Sequence, residues 1–163
     1  MHRESNWSTR PGRPEDVEAV AELRAVVMRD DLTRLGRYDE HRVRQRLRDG
    51  FSPAHTSVVE VDGGFAGSVT MRPYENGEGL YLEHFYLSPE AQGRGLGTAV
   101  LRDLLARADE EGLQVRLIVL QGSAARRLYE REGFTPESED PVDVLMVREA
   151  VPVPRPRRPA GGR

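Results

Sequence analysis

The stretch Gln92–Gly97, "QGRGLG", joins an apolar run, "LYLEHFYLSPEA" (80–91), to "TAVLRDLLARA" (98–108). The run is rich in aromatic and branched residues and reads as a strand. The segment after the joint places Gly97, Val100, Leu101, Leu104 and Ala108 in one helical stripe and stops at Gly112, so it reads as a helix. Each glycine in a helix costs about 1 kcal/mol relative to alanine, so three at alternate positions where a helix starts need a local cause. A helix N-terminus carries unpaired N–H groups and a partial positive charge, and side chains would block an anion from reaching it. Gly93, Gly95 and Gly97 therefore fit a cradle for a pyrophosphate, with Gly97 also allowing close helix-to-sheet packing. Read by themselves they fit a flexible connector equally well.

Two other phosphate motifs fail on the same letters. A Walker loop needs a lysine, and all 24 basic residues here are arginine. A dinucleotide fingerprint needs G-x-G-x-x-G and an acid near the end of the next strand, whereas this chain has G-x-G-x-G and a strand ending "IVLQG".

Outward from the joint, the chain alternates helical and strand patterns. "RPGRPEDVEAVAELRAVVM" (10–28) spaces Val17, Val20, Ala21, Leu23, Val27 and Met28 on a helical face behind Pro14. "YDEHRVRQRLRDG" (38–50) predicts a shorter helix capped by Asp39, with Val43 and Leu47 inward and a stop at Gly50. Two β-rich runs flank Asp62, Gly63 and Gly64 as a hairpin. "LQVRLIVL" (113–120) is nearly all apolar and predicts a strand buried on both faces. "SAARRLYEREG" (123–133) predicts a helix with Ser123 as N-cap and Gly133 as stop, then "FTPESED" a turn and "VDVLMVRE" a last strand. This order predicts a single α/β domain over residues 8–150, a mixed and mostly antiparallel sheet flanked by helices, with 1–7 and 151–163 as flexible termini.

Composition narrows the function. There are 163 residues and no cysteine, which excludes disulfides, thiolate metal sites and a cysteine acyl-enzyme. The histidines at 2, 41, 55 and 84 lack ligand spacing, so no metal is expected. No run approaches the roughly 20 apolar residues of a membrane span, and "MHRESNWSTR" lacks the apolar centre of a secretory signal, so a cytoplasmic protein off the membrane is expected. The tail "VPVPRPRRPAGGR" (151–163) holds four arginines and no acid, leaving residues 1–150 at −7 against −3 for the whole chain. A body so acidic argues against binding nucleic acid, whose affinity rests on neutralised phosphates.

The joint also resembles the acetyl-CoA motif of the GNAT acyl-CoA N-acyltransferases, Q/R-x-x-G-x-G/A after a strand ending V-x-P or similar. Leu87, Ser88 and Pro89, then Gln92, Gly95 and Gly97, match it. "ARRLYEREGF" (Ala125–Phe134) is similar to a second family signature, A-x-x-L/F-Y-E-x-x-G-F, and "RPGRPEDVEAV" to the family's first strand and helix entry. The matches run in order from about Arg10 to Arg148. The resemblance implies acetyl-CoA as co-substrate and direct transfer of acetyl to the amine of a small molecule or peptide. It also implies that the strand through Phe85, Tyr86 and Leu87 splays from its neighbour and offers its backbone to pantetheine. The loop N–H groups of Gln92, Gly93, Arg94, Gly95, Leu96, Gly97 and Thr98 would then meet the pyrophosphate, with the arginines 94 and 126 near other phosphates. Ser123 stands where the family commonly has asparagine. A homodimer would suit the family, although no segment here specifies one. A noncatalytic acyl-CoA-binding or regulatory module on the same fold is the alternative.

Acyl transfer to an amine needs a proton acceptor, a donor to the developing oxyanion and an acid for the leaving thiolate. Strict alternation puts Glu83 on a strand face with Tyr81, Phe85 and Leu87, and His84 on the opposite face. The resemblance implies a base on this strand, often acting through water, which makes Glu83 the expected base, with Glu78 second; a purely structural carboxylate is the alternative. By the resemblance, Tyr129 is the acid toward the thiolate and the Leu87 N–H meets the oxyanion. A core tyrosine is the alternative for Tyr129. Arg42, Arg44, Arg46 and Arg48 circle their helix, which predicts ordinary solvation. Asp30, Asp31, Asp39 and Glu40 fall in or beside the first interhelical loop, where they would attract a cationic amine or serve solubility and capping.

Overall fold

In the computed structural model, which describes residues 6–75 and 78–152, the chain begins as strand β1 (Trp7–Pro11). Helices α1 (Val17–Arg34) and α2 (Glu40–Gly50) follow, then the hairpin strands β2 (Thr56–Val61) and β3 (Gly64–Pro73). The rest alternates as β4 (Leu80–Leu87), α3 (Leu96–Glu110), β5 (Val115–Leu120), α4 (Ala125–Arg131), β6 (Thr135–Glu139) and β7 (Asp143–Arg148). The strands form one sheet of order β1-β2-β3-β4-β5-β7-β6, in which β4–β5 is the parallel pair and the other pairs are antiparallel. Parallel neighbours need a crossover, and α3 provides it. The expected mixed, mostly antiparallel sheet flanked by helices is the fold that forms.

Local chemistry explains the joints. Asp39 accepts a 2.7 Å hydrogen bond from the Arg42 N–H and caps α2, whose Val43 and Leu47 are buried. Asp62 and Gly63 both take positive φ, 50° and 81°, the conformation a two-residue hairpin turn requires. One sheet face buries Val100, Leu101 and Leu105 of α3 with Tyr129 of α4 and Phe134. Against the other pack Val20, Ala21 and Leu23 of α1, Leu47 of α2 and Tyr86 of β4. The sheet thus separates two cores. Arg148 is 8% exposed and bridges elements: it donates to both oxygens of Asp109, at 2.8 and 3.0 Å, and to the Glu132 carbonyl.

Several expectations need correction. β5 is not buried on both faces, because Ile118 is 49% exposed. The segment "FTPESED" contains a strand, β6; it reads as a turn because all five residues of this edge strand are exposed and its register shifts between Pro136 and Ser138. The first helix runs on to Arg34, so Asp30 and Asp31 belong to it and not to the loop. The domain boundary expected at residue 8 falls inside β1, where Trp7 pairs with Val61 and packs on the core. The arginine-rich end, 153–163, lies outside the described residues, as do 1–5. Among the described residues no helix is long and apolar enough to cross a membrane.

Candidate active site

β4 and β5 pair only from Leu80–Leu82 to Val115–Leu117. Beyond them β5 continues against β7, while β4 continues against β3. A split therefore opens between two parallel strands. At the point of divergence β4 also carries a bulge: its register with β3 shifts between Ser68 and Thr70, and His84 takes φ of 51°. The buried Ser68 hydroxyl donates to the His84 carbonyl and holds the bulge (3.2 Å). Positive φ is uncommon for a residue with a side chain, and such strain concentrates at functional positions.

The bulge reverses the expected faces. Glu83, His84 and Tyr86 line one cavity together with Tyr81, whereas Phe85 and Leu87 pack into the α3 core. Alternation is counted from one residue to the next, and an extra residue at 84 moves every later side chain to the other face. His84 thus sits in the cavity on which it was expected to turn its back.

At the far end of β4, the Ser88 N–H donates to Ala66 of β3, so by alternation the Leu87 N–H and carbonyl face the split. The Leu87 carbonyl accepts a 2.9 Å bond from the Gln92 side chain, which ties the glycine loop to the strand. The Gln92 N–H is already directed to Pro89, at 3.3 Å. Gly93 and Gly95 take φ of 76° and 77°, and a Cβ on either would meet open space. The backbone bend requires glycine there, and the surroundings stay clear for a ligand. Gly95 caps α3, and Ala99 makes the first helical bond back to its carbonyl, leaving the N–H groups of Leu96, Gly97 and Thr98 without intrahelical acceptors. The Leu96 side chain is buried in the core, so only its backbone faces the loop. A Cβ on Gly97 would lie 3.5 Å from Leu87 and 3.7 Å from Leu128, ordinary contact distances that close the gap between helix and sheet.

The cavity has a volume of about 670 Å³ and lies between α1, α2, β4, β5 and the 140–143 segment. Arg72 grips Glu83 with two bonds, 2.9 and 3.3 Å, and the His84 Nε2 is 3.5 Å from the same carboxylate. Burial lowers the His84 pKa and outweighs the neighbouring Glu83, with Arg24 and Arg72 pushing the same way as burial. The imidazole is consequently neutral near pH 7. The Tyr86 hydroxyl accepts from Arg24 Nε at 3.1 Å, and burial pushes its pKa up to about 12. Burial likewise raises Tyr81 to about 12. Tyr129 does not line the cavity; it lies in the α3 core with its ring edge-on to Phe134, centroids 5.8 Å apart. Burial and nearby Tyr86 raise its pKa, so its proton stays on throughout the neutral range.

Other expected residues are placed apart from the cavity. Glu78 is exposed in the turn before β4. Arg126 pairs with Glu130 on its own helix at 2.8 Å, while Arg94 is exposed in the loop. Ser123 accepts from the Ala125 N–H at 3.2 Å, one residue ahead of the N-cap Ala124. The acids Asp30, Asp31, Asp39 and Glu40 do not line the cavity, and Asp31 pairs with Arg34. Instead the walls carry Arg24, Arg37, Arg42 and Arg46. The four α2 arginines are divided: Arg44 and Arg48 pair with Glu22 and Glu18 of α1, and Arg42 and Arg46 face the cavity. Spacing four residues apart marked both pairs in the sequence, but nothing there said which side α1 covers.

A helix N-terminus cleared for an anion, next to a split between parallel strands and a titratable cavity, defines an α/β domain built to seat a phosphate-bearing ligand beside a second, smaller one. The chain belongs to the Acetyltransferase (GNAT) family, whose pattern matches residues 20–134. It is 45% identical over 56 residues, 33% of its length and 27% of the relative's, to a GCN5-like protein acetyltransferase of Mycobacterium tuberculosis. It is 33% identical over 93 residues, 55% of its length and 54% of the relative's, to an L-methionine sulfoximine/L-methionine sulfone acetyltransferase of Pseudomonas paraeruginosa. The matches thus span about half of these relatives' lengths or less. The fold is similar to that of PaiA N-acetyltransferase from Thermoplasma acidophilum in complex with coenzyme A, with TM-score 0.71 at 20% identity over 88% of this chain and 99% of that one. It is also similar to N-acetylglutamate synthase from Neisseria gonorrhoeae complexed with coenzyme A and L-arginine, with TM-score 0.63 at 20% identity over 90% of this chain and 34% of that one.

Proposed function

We propose that this chain is an acetyl-CoA-dependent N-acetyltransferase that moves acetyl directly to the amine of a small molecule or peptide in the cavity. The observation that carries the reading is the β4–β5 split, with the glycine loop tied to the far end of β4 and the cavity at Glu83 and His84 lined by both strands. The residues present suit the co-substrate. The free N–H groups of Leu96, Gly97 and Thr98 suit a pyrophosphate, and the cleared space above Gly93 and Gly95 admits it. Acetyl-CoA would supply an acetyl group activated as a thioester with a thiolate leaving group.

The chain's own groups then divide the work. The Leu87 backbone, which faces the split, would orient the bound chain there and offer its N–H to the thioester oxygen as negative charge develops on it. An alkylamine of pKa near ~10 is mostly protonated at neutral pH and must lose that proton before attack. Glu83 receives it, through cavity water, with the neutral His84 imidazole beside it as a second acceptor; Arg72 fixes the carboxylate's orientation. Tyr129 holds its proton through the neutral range and would supply it from its hydroxyl to the thiolate leaving group. No covalent enzyme intermediate is needed, and the chain has no cysteine to form one. In this reading the enzyme works in the cytoplasm.

The cofactor seat is tested by thermal unfolding. Saturating acetyl-CoA at about 100 times its Kd stabilises by about 2.7 kcal/mol. Gly95→Val forces a β-branched residue to φ of 77° and places methyls where the anion would lie, so it should remain folded and lose the acetyl-CoA shift. An acetyl-CoA-independent melting curve for the native protein would remove the assignment.

A further inference from the structure

We propose that the cavity selects an acceptor bearing a carboxylate close to its amine, a free amino acid, and that Arg24, Arg42 and Arg46 hold that carboxylate. The inference rests on the transferase reading above and names its substrate class.

Just over half of the nineteen arginines among the described residues are neutralised by carboxylates. Ten of those described form ion pairs with carboxylates, among them Arg44 with Glu22 and Arg48 with Glu18 on the outer face of the α1–α2 pair. Arg24, Arg37, Arg42 and Arg46 form none among the described residues, and all four line the same cavity. Its carboxylates do not offset them fully. Glu83 is held by Arg72, and Asp140 accepts the N–H groups of Val142 and Asp143 at 2.7 Å each. Asp143 remains, half-buried; burial and Asp140 raise its pKa, and Arg46 and Arg37 lower it, so it and Asp140 offset part of the charge of four arginines. Positive charge is left over around a concave space large enough for a small molecule.

The geometry also says where the anion sits. Arg24 spends Nε on the Tyr86 hydroxyl and one terminal nitrogen on the Val43 carbonyl, so its guanidinium plane is locked while the other terminal nitrogen stays free. A guanidinium fixed in this way binds a carboxylate with little further loss of side-chain freedom. The Tyr86 hydroxyl that Arg24 holds lies 3.4 Å from His84 Nδ1, which puts the anion site beside the groups proposed to take the amine proton. An amine at Glu83 and His84 and a carboxylate at Arg24 are then neighbours in one ligand, as in an amino acid. Arg42 and Arg46, four residues apart on α2, close the site from the other wall.

The test compares free L-amino acids, their carboxamides, the matching decarboxylated amines and short peptides with an N-terminal aspartate, using acetyl-CoA and thiol release with the full chain. The proposal expects at least one free amino acid to exceed its carboxamide and its decarboxylated amine by about 10-fold or more in kcat/KM, since a charge-assisted contact is lost. Arg42→Gln and Arg46→Gln, whose side chains make no bonds within the described protein, should raise KM for the acid and leave the carboxamide and acetyl-CoA constants unchanged. Arg24→Gln should raise KM for the acid further, and because it also removes the donor to the Tyr86 hydroxyl and the Val43 carbonyl, its effect on the carboxamide is expected to be the smaller of the two but not zero. Equal turnover of acid and carboxamide overturns the proposal and leaves the transferase reading standing, as does a preference for the aspartyl peptides. Should no amine be acetylated, the transferase reading fails, and a melting shift in the presence of CoA is read instead. A shift with N-acetyl amino acids and none with their carboxamides upholds the carboxylate site; equal shifts or none overturn it.

Discussion

Replacing Tyr129 with phenylalanine removes one oxygen and leaves the rest of the site in place. The ring is buried and meets Phe134 edge-on at an interplanar angle of 66°, a contact that phenylalanine reproduces. Among the described residues the hydroxyl makes no hydrogen bond, and no fully buried side-chain oxygen there lacks a partner, so this oxygen reaches the surface and the change in stability should stay within about 0.5 kcal/mol. For a domain of this size that is a Tm shift of about 2 °C or less. General acids typically contribute ~10²- to 10⁴-fold, and a thiolate whose conjugate acid has pKa near ~8.5 leaves readily, so the lower end applies. We expect kcat to fall about 100-fold, equivalent to about 2.7 kcal/mol of barrier, with acetyl-CoA affinity preserved. Because burial holds the Tyr129 pKa above its ordinary value, the native rate should show no alkaline decline from this group below about pH 10. Thiol release in single-turnover mode, with calorimetric binding and a melting curve on the same sample, separates these quantities. An unchanged kcat would refute the acid role, and a large Tm loss would show that the hydroxyl holds the core instead.

Glu83→Gln should slow turnover most at low pH and recover partly as the acceptor amine deprotonates unaided; a uniform loss from pH 6 to 9 would contradict its role as proton acceptor. Asp109→Asn leaves the Arg148 charge buried without its partner and should cost about 3 kcal/mol, measured by urea unfolding. Since the Arg148 hydrogen bond lowers the Asp109 pKa, this stabilisation is present above the ordinary carboxylate pKa and is lost as pH falls through the folded value, so the variant should show a weaker acid dependence. His84 is buried neutral, so the unfolded chain takes up its proton first and native stability should decline as pH falls below about 6.5. His84→Asn tolerates the positive φ and should flatten that part of the profile; an unaltered slope would place the titration elsewhere.

Periodicity made the helices, the hairpin and the glycine loop legible, because their signals are local: caps, stops and residues that accept positive φ. Asp39, Asp62 and Gly63 each act within a few residues of themselves. The cavity was not legible, for two physical reasons. The bulge at His84 breaks the two-residue repeat, and it is set by the way β3 pairs across at Ser68, 16 residues away in the chain. The split of Arg42 and Arg46 from Arg44 and Arg48 depends on where α1 packs, since one pair meets Glu22 and Glu18 there and the other does not. β6 escaped notice because an exposed edge strand has no buried face to impose alternation. The roles of Glu83 and Tyr129 rested on family resemblance, and the Arg72 grip on Glu83 joins two strands no local pattern relates.

Direct transfer is tested most sharply by mixing the protein with acetyl-labelled acetyl-CoA, first alone and then with a panel of amines, and following the label on protein, amine and CoA. The account predicts no label on the protein before the amine is added, then equal amounts of free CoA and N-acetylated product. Label carried by the protein and released to the amine afterwards would contradict direct transfer, and tight acetyl-CoA binding with no product from any amine would identify a noncatalytic acyl-CoA-binding module.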